Sequence, residues 1–147
     1  FEESSLVLAD VSPAALELAS ENAAGLGLDG RVELAESDLF SAVSGQFCLI
    51  VANLPYIPES EQTELSREVK RDPALALYGG EVGTEIIEKF LGDAPGFLSP
   101  GGKLALEFGI KQEKHLFDVA CDTGFHEVEI VKDLSGTDRF LLATKPL

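Results

Sequence analysis

Short apolar runs alternate along this chain with segments of helical spacing, and most elements announce their own ends. Leu6-Val7-Leu8-Ala9 stops at Asp10 and predicts a parallel strand. Ser12 then fits a helix N-cap with Pro13 at the first helical position. Ala15, Leu16, Ala19 and Ala23 recur at helical spacing through residues 13–24, and Gly25 and Gly27 close that helix. Arg31-Val32-Glu33-Leu34-Ala35 alternates as a strand and runs into Glu36-Ser37-Asp38-Leu39-Phe40. A small polar connection, residues 41–46, leads to the apolar run 47–52, whose unbroken hydrophobicity predicts a buried strand.

Residues 59–77 have no clean periodicity and are interrupted by Pro73, which suits a substrate lid over a strand's carboxyl end. Gly79-Gly80 and Gly83 mark a turn into a helix over residues 84–98, with Thr84 as its cap and Ile87, Phe90, Leu91 and Ala94 as its apolar stripe. Ser99-Pro100-Gly101-Gly102 reads as a turn before a central strand over 103–108. A helix over 111–123 ends at Gly124, and strands over 127–131 and 139–144 follow. Their short connection predicts an antiparallel pair, because a parallel pair needs a crossover. The order β-α-β, β, lid, α-β, α-β-β predicts an α/β fold, a mostly parallel sheet with one antiparallel strand near its end.

The chemistry concentrates where the run 47–52 meets Asn53-Leu54-Pro55-Tyr56-Ile57-Pro58. Proline cannot donate to a sheet ladder, so the strand must end near Asn53 and continue as a stiff, extended loop. That ending presents a side-chain amide, a backbone carbonyl and an aromatic face at a strand's carboxyl end, where open α/β sheets bind ligands. The Asn53 oxygen and the Leu54 carbonyl could accept the two N–H groups of a planar amide or exocyclic amine while Tyr56 stacks on its plane. A strand followed by a Pro-rich turn explains the same residues without a ligand. Asp10, at another strand end, is suited to accept ribose hydroxyls, or is simply an exposed Asp before a helix.

Composition narrows these readings. The 147 residues, 45% of them hydrophobic, suit one globular domain, and no apolar run approaches the length of a membrane span. Cys48 and Cys121 are expected as reduced core thiols of a cytoplasmic protein. His115 and His126 have no Cys or carboxylate at metal-like spacing, so no metal site is expected. A net charge of −15 disfavours a nucleic-acid partner, whose binding rests on Lys and Arg. Residues 1–60 carry ten acidic residues against Arg31 alone; Arg67, Lys70 and Arg71 form a basic cluster just beyond the proline loop.

Asn53-Leu54-Pro55-Tyr56 resembles the Asn-Pro-Pro-Tyr signature of S-adenosylmethionine-dependent methyltransferases acting on planar nitrogens. Together with residues 75–83, Leu106-Glu107-Phe108-Gly109, Gln112 and 133–139, it resembles the N5-glutamine methyltransferases of peptide chain release factors, over nearly the whole chain. The resemblance implies a Rossmann-like methyltransferase fold and S-adenosylmethionine as cofactor. It assigns Asp10 and Val11 to the ribose, Asp38 and Leu39 to the adenine, and Asn53 to both cofactor and substrate. The substrate it implies is the glutamine of a Gly-Gly-Gln loop, held by Asn53, Leu54, Pro55 and Tyr56. Two departures qualify it. Leu54 stands where the family has its first proline, and Asn-Leu-Pro-Tyr also occurs in ribosomal RNA adenine dimethylases, so an adenine substrate is the competing expectation. The chain also begins at what would be the second strand, without the first strand and its Gly-rich turn. An N-terminally truncated methyltransferase domain, inactive or poor in cofactor binding by itself, is therefore expected.

Overall fold

A computed structural model describes residues 4–63, 65, 66 and 69–147. The chain forms two compact units, residues 1–45 and 46–147.

In the smaller unit, β1 (Leu6–Asp10) pairs in parallel with β2 (Val32–Glu36), in register from Leu6 opposite Val32 to Asp10 opposite Glu36. Between them runs α1 (Pro13–Gly25), which starts as the Ser12-Pro13 pair predicts: the Ala15 N–H donates to Ser12 Oγ at 3.3 Å. The helix ends one residue later than expected, at a cap on Leu26, with Gly27 turning the chain at φ 68°. Of the expected apolar stripe only Ala23 is buried; Leu16 and Ala19 are half-buried and Ala15 is exposed.

The larger unit is built on a four-stranded sheet in the order β3-β6-β8-β7. Its strands are β3 (Phe47–Asn53), β6 (Leu98–Glu107), β7 (His126–Lys132) and β8 (Asp138–Thr144). β3 runs parallel to β6, whereas β8 is antiparallel to both β6 and β7. This is the expected mixed sheet, and its order shows one antiparallel strand inserted between β6 and β7. Side chains alternate across a sheet, and here the alternation sorts the core cleanly. Leu104 and Leu106 of β6 and Leu141 and Ala143 of β8 are buried on one face, beneath Ile87, Phe90, Leu91 and Ala94 of α3 (Glu85–Phe97) and Leu116 and Ala120 of α4 (Glu113–Asp122). Val51, Asn53 and Glu107 belong to the opposite face, because Asn53 is the register partner of Glu107 and Ala52 that of the buried Leu106.

Several expectations need correction. The run 47–52 is a strand but not a buried one: β3 lies at the edge of its sheet, with Leu49 43% and Val51 71% exposed. Cys48 rides on that edge strand and Cys121 follows the buried Ala120 onto the outer side of α4, so both thiols are free and exposed, not core residues. Residues 99–102 do not end a strand. They bulge from within β6, whose register with β3 jumps from Phe47 opposite Leu98 to Leu49 opposite Lys103; Pro and Gly mark bulges as readily as turns. Thr84 occupies the cap of α3, yet its hydroxyl donates to Glu88 Oε1 at 2.6 Å and caps no backbone N–H.

The loop beyond Asn53 is also more ordered than proline alone requires. A two-residue strand, β4 (Ile57–Pro58), pairs in parallel with β5 (Tyr78–Gly80), so the predicted glycine turn begins as a strand. The expected lid contains two 3-10 turns (Glu59–Glu61 and Val69–Arg71) and a one-turn helix, α2 (Ala74–Leu77). Of the basic cluster, Arg71 is exposed, while Arg67 and the Lys70 side chain lie outside the described residues.

Candidate acceptor and cofactor sites

Asn53 is the last residue of β3, exposed at the carboxyl end of the strand, and its side-chain amide has no hydrogen bond within the described residues. Leu54, Pro55 and Tyr56 follow, all half-buried. Tyr56 is held at both ends. Its hydroxyl donates to Glu107 Oε1 at 3.0 Å, and its carbonyl accepts from the Gln112 amide at 2.9 Å. Burial first, and then the adjoining Glu107 carboxylate, push the Tyr56 phenol above its ordinary pKa, so the hydroxyl keeps its proton and remains a donor. Glu107 brings that carboxylate to the same face as Asn53 because the two are register partners in parallel strands, whose spacing is about 4.8 Å.

Glycines let the surrounding backbone close on this loop. A Cβ on Gly79 would lie 2.5 Å from the Pro55 carbonyl oxygen, and one on Gly83 would lie 2.6 Å from that of Tyr56. Gly83 also has φ 89°, a left-handed conformation that side chains disfavour. The turn is gripped by Glu85, whose two carboxylate oxygens accept the N–H groups of Val82 and Gly83 at 2.9 and 2.8 Å. Those bonds, Val82 foremost, hold the Glu85 carboxyl below the usual range. On the other side, Arg139 donates to the Phe108 carbonyl at 3.2 Å and lies 3.7 Å from Asp133. The Ser135 hydroxyl and the Thr137 and Ser135 N–H groups converge on Asp133 and lower its pKa. Tyr56, Ile57, Pro58, Glu88, Ile110, His115 and Arg139 are among the walls of a cleft of about 690 Å³ beside the loop.

The candidate cofactor residues belong to the smaller unit. Asp10 is exposed at the end of β1, with Oδ1 accepting the Ser12 N–H at 2.7 Å. That bond fixes the carboxylate orientation while leaving Oδ2 available. Val11 beside it is 51% exposed. Asp38 is exposed, and Leu39 is half-buried with φ 52°. Positive φ is costly for a branched apolar residue. Ser37 organises the turn: buried at 5% exposure, its hydroxyl donates to the Leu39 carbonyl and accepts the Ala42 N–H, both at 2.9 Å. Sequence reasoning missed Ser37, Glu85 and the role of Glu107; a small polar residue just after a strand was the only signal for Ser37.

No family model matches the chain. A release factor glutamine methyltransferase from Cereibacter sphaeroides is 40% identical over 141 residues, covering 95% of this chain and 51% of that protein. A ribosomal protein uL3 glutamine methyltransferase from Bordetella pertussis is 37% identical over 139 residues, 92% of this chain and 45% of its own length. The chain spans about half the length of the curated relatives it matches. A methyltransferase from Pyrococcus furiosus superposes with a TM-score of 0.72 at 25% identity, over 97% of this chain and 64% of that one. A SAM-dependent O-methyltransferase from Thermotoga maritima superposes at 0.65 with 11% identity, over 97% and 50% of the two chains. The fold is therefore Rossmann-like, that of S-adenosylmethionine-dependent methyltransferases, and in sequence the chain is related to about half of a release factor glutamine methyltransferase.

Proposed function

We propose that the intact protein transfers a methyl group from S-adenosylmethionine to the side-chain amide nitrogen of a glutamine in a peptide chain release factor, in its Gly-Gly-Gln loop, and does so in the cytoplasm. Residues 1–147 are then part of one methyltransferase domain. The observation that carries this reading is the Asn53 amide, without a hydrogen-bond partner among the described residues at a strand's carboxyl end and followed by a loop clamped on both sides. Relatives named for glutamine methylation support it.

The residues present suit both ligands. Asp10, oriented through one oxygen, offers the other to a ribose hydroxyl beside Val11; Asp38 suits an exocyclic amine and Leu39 a ring face. S-adenosylmethionine supplies an electrophilic methyl group, so the protein's task is positioning. Asn53 Oδ1 and the Leu54 carbonyl accept the two N–H groups of the substrate amide, directing its nitrogen lone pair, while Pro55 and the Tyr56 ring shape the slot. An N–CH3 bond forms as the S–CH3 bond breaks, and the nitrogen then sheds one proton. Glu107, on the same sheet face as Asn53, is a carboxylate suited to receive it.

The test is incubation of the intact protein with a release factor and isotopically labelled S-adenosylmethionine, followed by peptide mass spectrometry. Label is expected on the Gly-Gly-Gln glutamine, and Asn53→Ala should lower kcat by on the order of 100-fold. Label on RNA adenine, or on ribosomal protein uL3 and not the release factor, would overturn the assignment.

A further inference from the structure

Gln112 is 8% exposed, at the N-cap position of α4, yet its side chain does not cap that helix. A buried primary amide is costly unless its groups are paired, and those of Gln112 are paired elsewhere. Oε1 accepts the Gly109 N–H at 2.8 Å, while Nε2 donates to the Tyr56 carbonyl at 2.9 Å and the Gly83 carbonyl at 3.3 Å. These three partners lie in three separate segments: the loop after β3, the turn before α3 and the end of β6. The backbone has been brought to the side chain at some expense. Lys111, immediately before it, has φ 69°, a strained value for a residue with a Cβ. A Cβ on Gly109 would sit 2.9 Å from Gln112 Oε1 and 3.1 Å from the Tyr56 ring. One acceptor and two donors at the tip of a long side chain is the inventory of glutamine; glutamate has the shape without the donors.

We propose that Gln112 is a positioning residue for methyl transfer. It fixes the Tyr56 carbonyl and, through the stiff Leu54-Pro55-Tyr56 segment, the Asn53 amide and the Leu54 carbonyl. This rests on the reading of Asn53–Tyr56 as the acceptor slot. A residue serving only the fold would lower melting temperature and activity together; a positioning residue lowers kcat while the protein stays folded and cofactor affinity stays as it was. Gln112→Glu separates the two further. Its carboxylate still accepts the Gly109 N–H but faces the Tyr56 and Gly83 carbonyls without a donor, and protonation restores one.

The experiment measures kcat and the KM for S-adenosylmethionine across pH for the intact wild-type protein, Gln112→Glu and Gln112→Leu, with melting curves under each condition. Relative to wild type at the same pH, Gln112→Glu should lose on the order of 100-fold in kcat at alkaline pH and recover as pH falls. Gln112→Leu should stay low throughout, and KM should hold in both. Wild-type kcat in Gln112→Glu, or a deficit that follows the melting temperature and ignores pH, would overturn the proposal. If Gln112→Leu does not fold, the pH response of Gln112→Glu decides alone. If the wild-type protein transfers no methyl group, the functional reading has failed separately. Hydrogen exchange then tests the clamp: faster exchange at residues 56–57 in Gln112→Glu, with Gly109 still protected, supports it, and unchanged exchange at residues 56–57 overturns it.

Discussion

The two units hold their candidate site residues by different means. In the smaller one, the bonds are short in sequence: Asp10 to the Ser12 N–H, Ser37 to the Leu39 carbonyl and the Ala42 N–H. In the larger one they are long: Tyr56 to Glu107 spans 51 positions and Gln112 to Tyr56 spans 56. The cores differ likewise. Fourteen hydrophobic residues are buried in the described chain, and Ala23 is the single one of them in the smaller unit. Leu6, Leu8, Leu18, Leu26 and Leu34 of that unit are exposed. A two-stranded sheet with one helix has little to bury, so its candidate ligand residues are shaped by local turns, whereas the proposed acceptor loop is held by a packed core. Preorganisation therefore resides chiefly in the larger unit.

Core truncation should separate the units most. Phe108 is fully buried, and Phe108→Ala is expected to cost about 3–5 kcal/mol in urea denaturation. Leu18→Ala, at a residue 58% exposed, should change stability by less than about 0.5 kcal/mol. Similar losses at the two positions would erase the contrast.

Asp10→Ala sharpens the comparison from the cofactor side. Calorimetric titration of the intact protein should show S-adenosylmethionine binding weakened by about 1.5–3 kcal/mol for each charge-assisted bond lost, with little change in urea stability. Unchanged affinity would make Asp10 no more than an exposed residue before a helix.

The smallest effect concerns pH. The Thr84 hydroxyl, and then His115 at 2.8 Å, hold the Glu88 carboxyl below its ordinary 4.5. A folded-state pKa that is depressed contributes stability above the unfolded value and loses it as pH falls through the folded one. Glu88→Gln should therefore narrow the loss of stability below pH 4.5 only slightly, because both partners are substantially solvated and screened. Thermal melting between neutral and acid pH measures it; a large change would show that the wall of the cleft matters more to folding than its exposure indicates.

Local chemistry was the legible part of the fold. Ser12-Pro13 specified where α1 begins, and the stripe Ile87, Phe90, Leu91, Ala94 specified the buried side of α3. An unbroken apolar run, by contrast, carries no period that distinguishes an edge strand from a central one, which is why β3 and Cys48 were expected to be buried. Glu85 and Glu88 are both acidic residues in the first turn of α3, and only the fold decides that one grips Val82 and Gly83 while the other takes the Thr84 hydroxyl. The motif around Asn53 singled out the loop proposed to hold the acceptor, but the clamps on Tyr56 come from residues more than fifty positions away, beyond the reach of any local pattern.

The bulge at residues 99–102 gives β6 an expansion joint. Extra residues placed at Ser99 or Pro100 lengthen a bulge already outside the ladder with β3, ahead of the two backbone bonds that tie Gly101 and Gly102 to Lys145, and the pairing from Leu49 opposite Lys103 onward is undisturbed. Four positions further along there is no such slack. A single residue added between Lys103 and Glu107 would reverse which side of the sheet each later side chain faces; Glu107 would turn toward the helices and Tyr56 would lose its acceptor. Along one strand, then, tolerance to change in length and intolerance of it lie within a few residues of each other.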